Sequence, residues 1–169
     1  MIVWLASYPK SGNTLVRSLL SSYIFSKDGI FNFELLKNIK QFPDNSLFKQ
    51  IGVDTNNDEE MYKNYINTQK IFNKKDTIRF LKTHSCFMNT KTFQFTDRHN
   101  TLGVIYIVRD PRNVLDSMSR HFQINHDKAL SVMQNENNYI YDFKKKKILV
   151  IINLLAHGKK IINLGKIIS

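Results

Sequence analysis

The sequence has a single cysteine, Cys86, which excludes an intramolecular disulfide and a thiolate-built metal site and favours a reducing compartment. Long apolar runs are missing too. Runs such as Ile148 to Ile152 and Leu154 to Ala156 fall far short of the roughly 20 residues a membrane-spanning helix needs. No basic region precedes the apolar start from Met1 to Ser7, which reaches Tyr8-Pro9-Lys10 too soon for a signal peptide. These absences lead us to expect a cytoplasmic protein with no membrane partner. Acid is scarce, and from Lys144 to Ser169 there is none, although seven lysines lie there. The whole chain carries 25 basic residues against 14 acidic, a net charge of +11, but outside that tail the balance is 18 against 14, or +4. A mildly basic body suits a pocket for a small polyanion as well as it suits nucleic acid.

With 169 residues, of which 42% are hydrophobic, the chain can build a core, and disorder is excluded as its main state. Met1 to Ser7 is a continuous apolar run followed by Pro9, Ser11 and Gly12, and then by Leu15, Leu19, Leu20 and Tyr23 at helical spacing. That order predicts strand, tight loop, helix. Thr101 to Val108 repeats the idea with a charge-free strand rich in β-branched residues, apolar on both faces as an interior strand of a parallel sheet would be. Asp110-Pro111 then predicts a helix start, with the acid as cap and the proline in first position, followed by Val114, Met118 and Phe122. Thr77 to Lys82 alternates like a strand and ends at Thr83-His84. Glu34 to Lys40 and Glu59 to Phe72 look helical, and Pro43 to Asn57 reads as a surface connection. There is no internal repeat. Two strand-loop-helix units and a third strand predict an α/β fold with a mainly parallel central sheet flanked by helices. Ligands of such sheets bind at the carboxyl ends of the strands, where Lys10, His84 and Arg109 fall.

Three segments carry candidate chemistry. Tyr8 to Thr14 joins a strand to a helix start, so its backbone N–H groups can nest an anion while Lys10 adds a mobile charge. The lysine precedes the glycine, so this is not the Walker pattern; an ordinary turn with an exposed lysine is equally compatible with this segment alone. Arg109 ends the second strand unit, where a guanidinium can grip phosphate oxygens in pairs, and Ser117 follows about two helical turns on. Taken singly, Arg109 is more often paired with an acid and Ser117 merely exposed. Lys82-Thr83-His84 adds an imidazole, whereas His99, His121, His126 and His157 read as structural or surface histidines.

Together these segments resemble the sulfotransferases that use 3′-phosphoadenosine 5′-phosphosulfate (PAPS). The family's 5′-phosphosulfate loop, Pro-Lys-Ser-Gly-Thr-Thr-Trp, is similar to Pro9 to Leu15; its 3′-phosphate motif pairs an arginine with a serine eight residues on, as do Arg109 and Ser117; its catalytic histidine lies in Lys-Thr-His, as His84 does. The resemblance runs from about Met1 to Phe122. It implies a three-layer, P-loop-like fold and transfer of a sulfuryl group from PAPS, as co-substrate and without a metal, to a hydroxyl or amine of a small-molecule or carbohydrate acceptor. It further implies His84 as general base, Lys10 as the cation at the leaving oxygen, Lys10, Ser11, Gly12, Asn13 and Thr14 around the 5′-phosphate, and Arg109 with Ser117 on the 3′-phosphate. Lys82 would assist at the sulfuryl oxygens.

The sequence departs from the family in two places. Leu15 stands where the family has an adenine-stacking aromatic, and a leucine offers no π face. The family's basic, glycine-containing C-terminal segment has no match, so the domain is expected to span residues 1–143, truncated at its C-terminus, ahead of a basic and apolar tail at 144–169. A slip of reading frame within the lysine run accounts for that tail; a genuine basic amphipathic tail is the alternative. Two other functions stay open: a catalytically inactive nucleotide-binding remnant of the fold, and a basic nucleic-acid-binding protein. The second is disfavoured because the basic residues of the body do not interleave with aromatics as a stacking platform requires, and no nucleic-acid partner is expected.

Overall fold

Ile2 to Ser7 offers six consecutive residues that can be buried on both faces, and it becomes the middle strand, β1 (Ile2–Ser7). It pairs in parallel with β2 (Arg79–Thr83), in a register running from Ile2 opposite Arg79 to Ala6 opposite Thr83. On its other side lies β3 (Thr101–Ile107), giving the order β2-β1-β3. The result is an α/β architecture with a three-stranded parallel sheet flanked by helices, as the sequence predicts. The protein is seen here as a computed structural model that describes residues 1–73, 77–85, 94–134, 140–142 and 147–149, the last two segments as backbone. Cys86, the lysines at 144–146 and the tail from 150 lie outside the described residues. No helix among the described residues is long and apolar enough to cross a membrane.

Two compact units emerge. The first comprises Met1–Ala6, Asn13–Thr83 and the stretch ending at Tyr106; the second comprises Ser7–Gly12, the stretch beginning at His84, and the chain from Ile107 on. In the first, the core is aromatic. Trp4, fully buried, packs on Phe95 with ring centroids 5.0 Å apart and on Phe42 at 5.8 Å, and Phe42 meets Phe48 and Tyr65. The indole N–H of Trp4 donates to Thr101 Oγ1 at 2.9 Å, and Thr96 joins Thr101 to the buried amide of Gln69, so the polar atoms drawn into this core find partners.

Helix α1 (Asn13–Phe25) forms where the sequence predicts it but turns a different face inward. Asn13, Ser21 and Ser22 are buried, while Leu15 is 66% and Tyr23 87% exposed. Two of its polar side chains reach backbone acceptors beneath the helix. Asn13 Nδ2 donates to the Leu5 carbonyl at 2.9 Å, and the Arg17 guanidinium donates to the carbonyls of Leu36 and Ile39 at 3.0 and 2.6 Å, closing the end of a 3₁₀ helix (Phe33–Asn38). Burial lowers the pKa of Arg17 below the usual arginine range.

Helix α2 (Asn45–Gln50) lies within the stretch read as a surface connection. Asp44 caps it, accepting from the Ser46 N–H at 2.8 Å, and Leu47 and Phe48 are buried. The pattern expected over Glu59 to Phe72 divides into α3 (Asp58–Lys63) and α4 (Tyr65–Gln69). Strand β3 differs from its expected interior place: among the described residues it is an edge strand, with Leu102 and Ile105 partly exposed.

The second unit holds α5 (Pro111–Phe122) and α6 (His126–Gln134), followed by the antiparallel pair β4 (Ile140–Asp142) and β5 (Lys147–Leu149). The expected boundary between residues 143 and 144 falls between those two strands.

Candidate active site

In a parallel pair each strand delivers its next residue to the same end of the sheet. The register that sets Ala6 opposite Thr83 brings Ser7 and His84 side by side as both strands finish. There His84 Nδ1 lies 2.8 Å from the Ser7 carbonyl oxygen and 3.2 Å from its Oγ. A carbonyl can only accept, so Nδ1 carries the proton and donates it to Ser7; in the neutral ring the lone pair then resides on Nε2. Ser7 is wholly buried, which makes this a rigid anchor. Its part in the site was not singled out from the sequence, although the predicted strand ends contain the signal.

From Ser7 the chain turns sharply. The Ser11 N–H donates to the Tyr8 carbonyl at 3.2 Å, so that N–H, one of those expected at the phosphate, here closes the turn. Lys10 has φ 68° and Gly12 φ 102°, with Ser11 between them outside the positive-φ region. Such alternation of hand points successive N–H groups into one concavity, the geometry of an anion nest. Tyr8 is buried and its hydroxyl donates to Met118 Sδ at 4.0 Å; burial pushes its pKa up to about 12, so it stays neutral. At Gly12 a side chain would meet open space, so the glycine is needed for its backbone alone. Gly12→Ala is therefore expected to cost about 1–3 kcal/mol of stability, lowering Tm by several degrees in thermal denaturation.

Arg109 meets the same loop. Its Nη1 donates to the Lys10 carbonyl at 3.0 Å, while the side chain remains exposed. The neighbouring acid does not neutralise it. Asp110 caps α5 by accepting from the Arg112 N–H at 2.9 Å, and the Arg112 guanidinium occupies both carboxylate oxygens, with Nε to Oδ1 at 3.0 Å and Nη2 to Oδ2 at 2.6 Å. These bonds from Arg112 hold the Asp110 carboxyl down at about 2. Among the described residues neither Lys10 nor Arg109 has an acidic partner. Ser117 lies in the second turn of α5, half-buried.

The remaining loop candidates begin α1. Asn13 spends its side-chain amide on the Leu5 carbonyl. Thr14 is exposed in the first turn, where helix N–H groups lack intrahelical partners.

A buried strand, a left-handed loop carrying a lysine, a histidine at the next strand end and an arginine on the loop carbonyl are thus assembled. The sulfotransferase domain family model matches residues 2–161. The chain belongs to the sulfotransferase family. No curated protein matches it significantly. In this sulfotransferase the Ser7 carbonyl fixes the tautomer of His84.

Proposed function

We propose that this sulfotransferase domain takes its sulfuryl group from PAPS and passes it to a hydroxyl or amine acceptor. One observation carries the reading: two backbone carbonyls three residues apart in a single loop, those of Ser7 and Lys10, hold the imidazole of His84 and the guanidinium of Arg109. An imidazole, a guanidinium and a lysine therefore meet at one short piece of chain, which supports the reading.

The chemistry follows from those groups. His84 Nε2 takes the proton from the acceptor as the acceptor oxygen or nitrogen forms its bond to sulfur. The bond from sulfur to the bridging oxygen breaks with its electron pair, and that oxygen becomes part of the phosphate of the 3′,5′-bisphosphate product. Lys10 meets the charge that grows there. The N–H groups of Gly12, Asn13 and Thr14 hold the 5′-phosphate, and Arg109 with the Ser117 hydroxyl takes the 3′-phosphate. Leu15, exposed at the start of α1, gives adenine an apolar surface. The acceptor is a small molecule or a carbohydrate.

Calorimetric titration with adenosine 3′,5′-bisphosphate tests the donor. Binding is expected in the wild type and about ten- to hundredfold weaker in Arg109→Ala, the range for charge-assisted hydrogen bonds to a phosphate. Adenosine 5′-phosphate is expected to bind both proteins equally. If Arg109→Ala binds the bisphosphate as the wild type does, the 3′-phosphate assignment fails. A sulfate-transfer assay over phenols, alcohols and sugars then finds the acceptor.

A further inference from the structure

Asp110 sits in sequence between the arginine assigned to the 3′-phosphate and the start of α5, with a second arginine two residues on. Either guanidinium could take it. A carboxylate beside Arg109 would compete with a phosphate for the same N–H groups, since both are planar-edged anions suited to the fork. In the structure the competition is resolved one way: Arg112 binds both carboxylate oxygens, with its own side chain 90% exposed, and Arg109 points its Nη1 at the Lys10 carbonyl. Capping accounts for Asp110, but an exposed ion pair adds little to folding, so stability gives a weak account of the charge on Arg112.

We infer that Arg112 is a positioning residue for nucleotide binding: by engaging Asp110 it keeps that carboxylate off Arg109, whose guanidinium is then available to the 3′-phosphate. The inference rests on the reading of Arg109 given above. It assigns Arg112 no contact with the nucleotide.

The test is calorimetric titration of adenosine 3′,5′-bisphosphate into five proteins: wild type, Arg112→Ala, Arg112→Lys, the double variant Asp110→Asn with Arg112→Ala, and Arg109→Ala. Removing Arg112 alone frees Asp110 to pair with Arg109, and affinity is expected to fall about three- to tenfold, the scale of one unscreened charge at a half-solvated site. In the double variant the competing charge is gone while asparagine still supplies the capping oxygen, so affinity returns to within about twofold of wild type. Arg112→Lys keeps a cation on Asp110 and retains most of the affinity. Thermal denaturation of each variant checks that the fold is intact. Wild-type affinity in Arg112→Ala overturns the inference, as does a double variant no tighter than the single one, because a merely structural arginine would not be rescued by neutralising Asp110. Unchanged binding in Arg109→Ala removes the underlying assignment instead, and the two failures are thereby told apart.

Discussion

His84→Asn is expected to lose sulfate transfer by about 10² to 10⁴-fold while still binding adenosine 3′,5′-bisphosphate. Asparagine is chosen because its side-chain amide nitrogen can occupy the place of imidazole Nδ1 and keep the donation to the Ser7 carbonyl, now 2.8 Å long. The variant therefore preserves the anchor of the strand end and removes only the nitrogen proposed to take the acceptor's proton. His84→Ala removes both, and the difference in Tm between the two variants measures what the anchor contributes to stability. Full transfer activity in His84→Asn would place the base elsewhere. Loss of bisphosphate binding along with activity would mean that His84 shapes the nucleotide site instead. The acid limb of the pH–rate profile is a second check, since it reports protonation of the base and should vanish with the imidazole.

The elements that carry the candidate site were legible in the sequence wherever a local rule sufficed. The apolar run of β1 ended by Pro9, the charge-free run of β3 and the Asp110-Pro111 start of α5 each name an element and its end, and the structure places them there. What local rules could not supply is partnership across the chain. The four apolar positions of α1 mark a helix but not its inward face, where Asn13 and Arg17 reach the carbonyls of Leu5, Leu36 and Ile39. Helix α2 was hidden for a related reason: Asp44 reads as a loop residue until Phe48 joins an aromatic cluster built by Trp4, Tyr65 and Phe95 from distant segments. The edge position of β3 could not be read either, since an apolar strand does not state how many neighbours it has. Ser7 and Arg112 were missed because neither bears a reactive group in a motif. What each offers is a contact: Ser7 lends its carbonyl oxygen to His84, and Arg112 its guanidinium to the Asp110 carboxylate.

Lys10→Met is the substitution expected to separate the two contributions of residue 10. The side chain of Lys10 is assigned to charge that develops as the sulfuryl leaves, whereas its carbonyl already holds Arg109 at 3.0 Å. Methionine keeps the length and leaves the backbone in place, including its left-handed conformation at φ 68°, so the hold on Arg109 persists. A donor that acts mainly on transition-state charge lowers kcat more than it raises KM. Steady-state kinetics are thus expected to show kcat falling by about 10² to 10³-fold, with KM for PAPS moving by less than tenfold. Lys10→Arg retains a cation on a longer, broader head and is expected to recover part of the rate. If Lys10→Met instead raises KM and spares kcat, the lysine serves ground-state binding of the 5′-phosphosulfate, and stabilisation of the leaving oxygen must come from the N–H groups of Gly12 to Thr14. Because the role proposed for the side chain is separate from the carbonyl's hold on Arg109, only a substitution that spares the backbone can distinguish them.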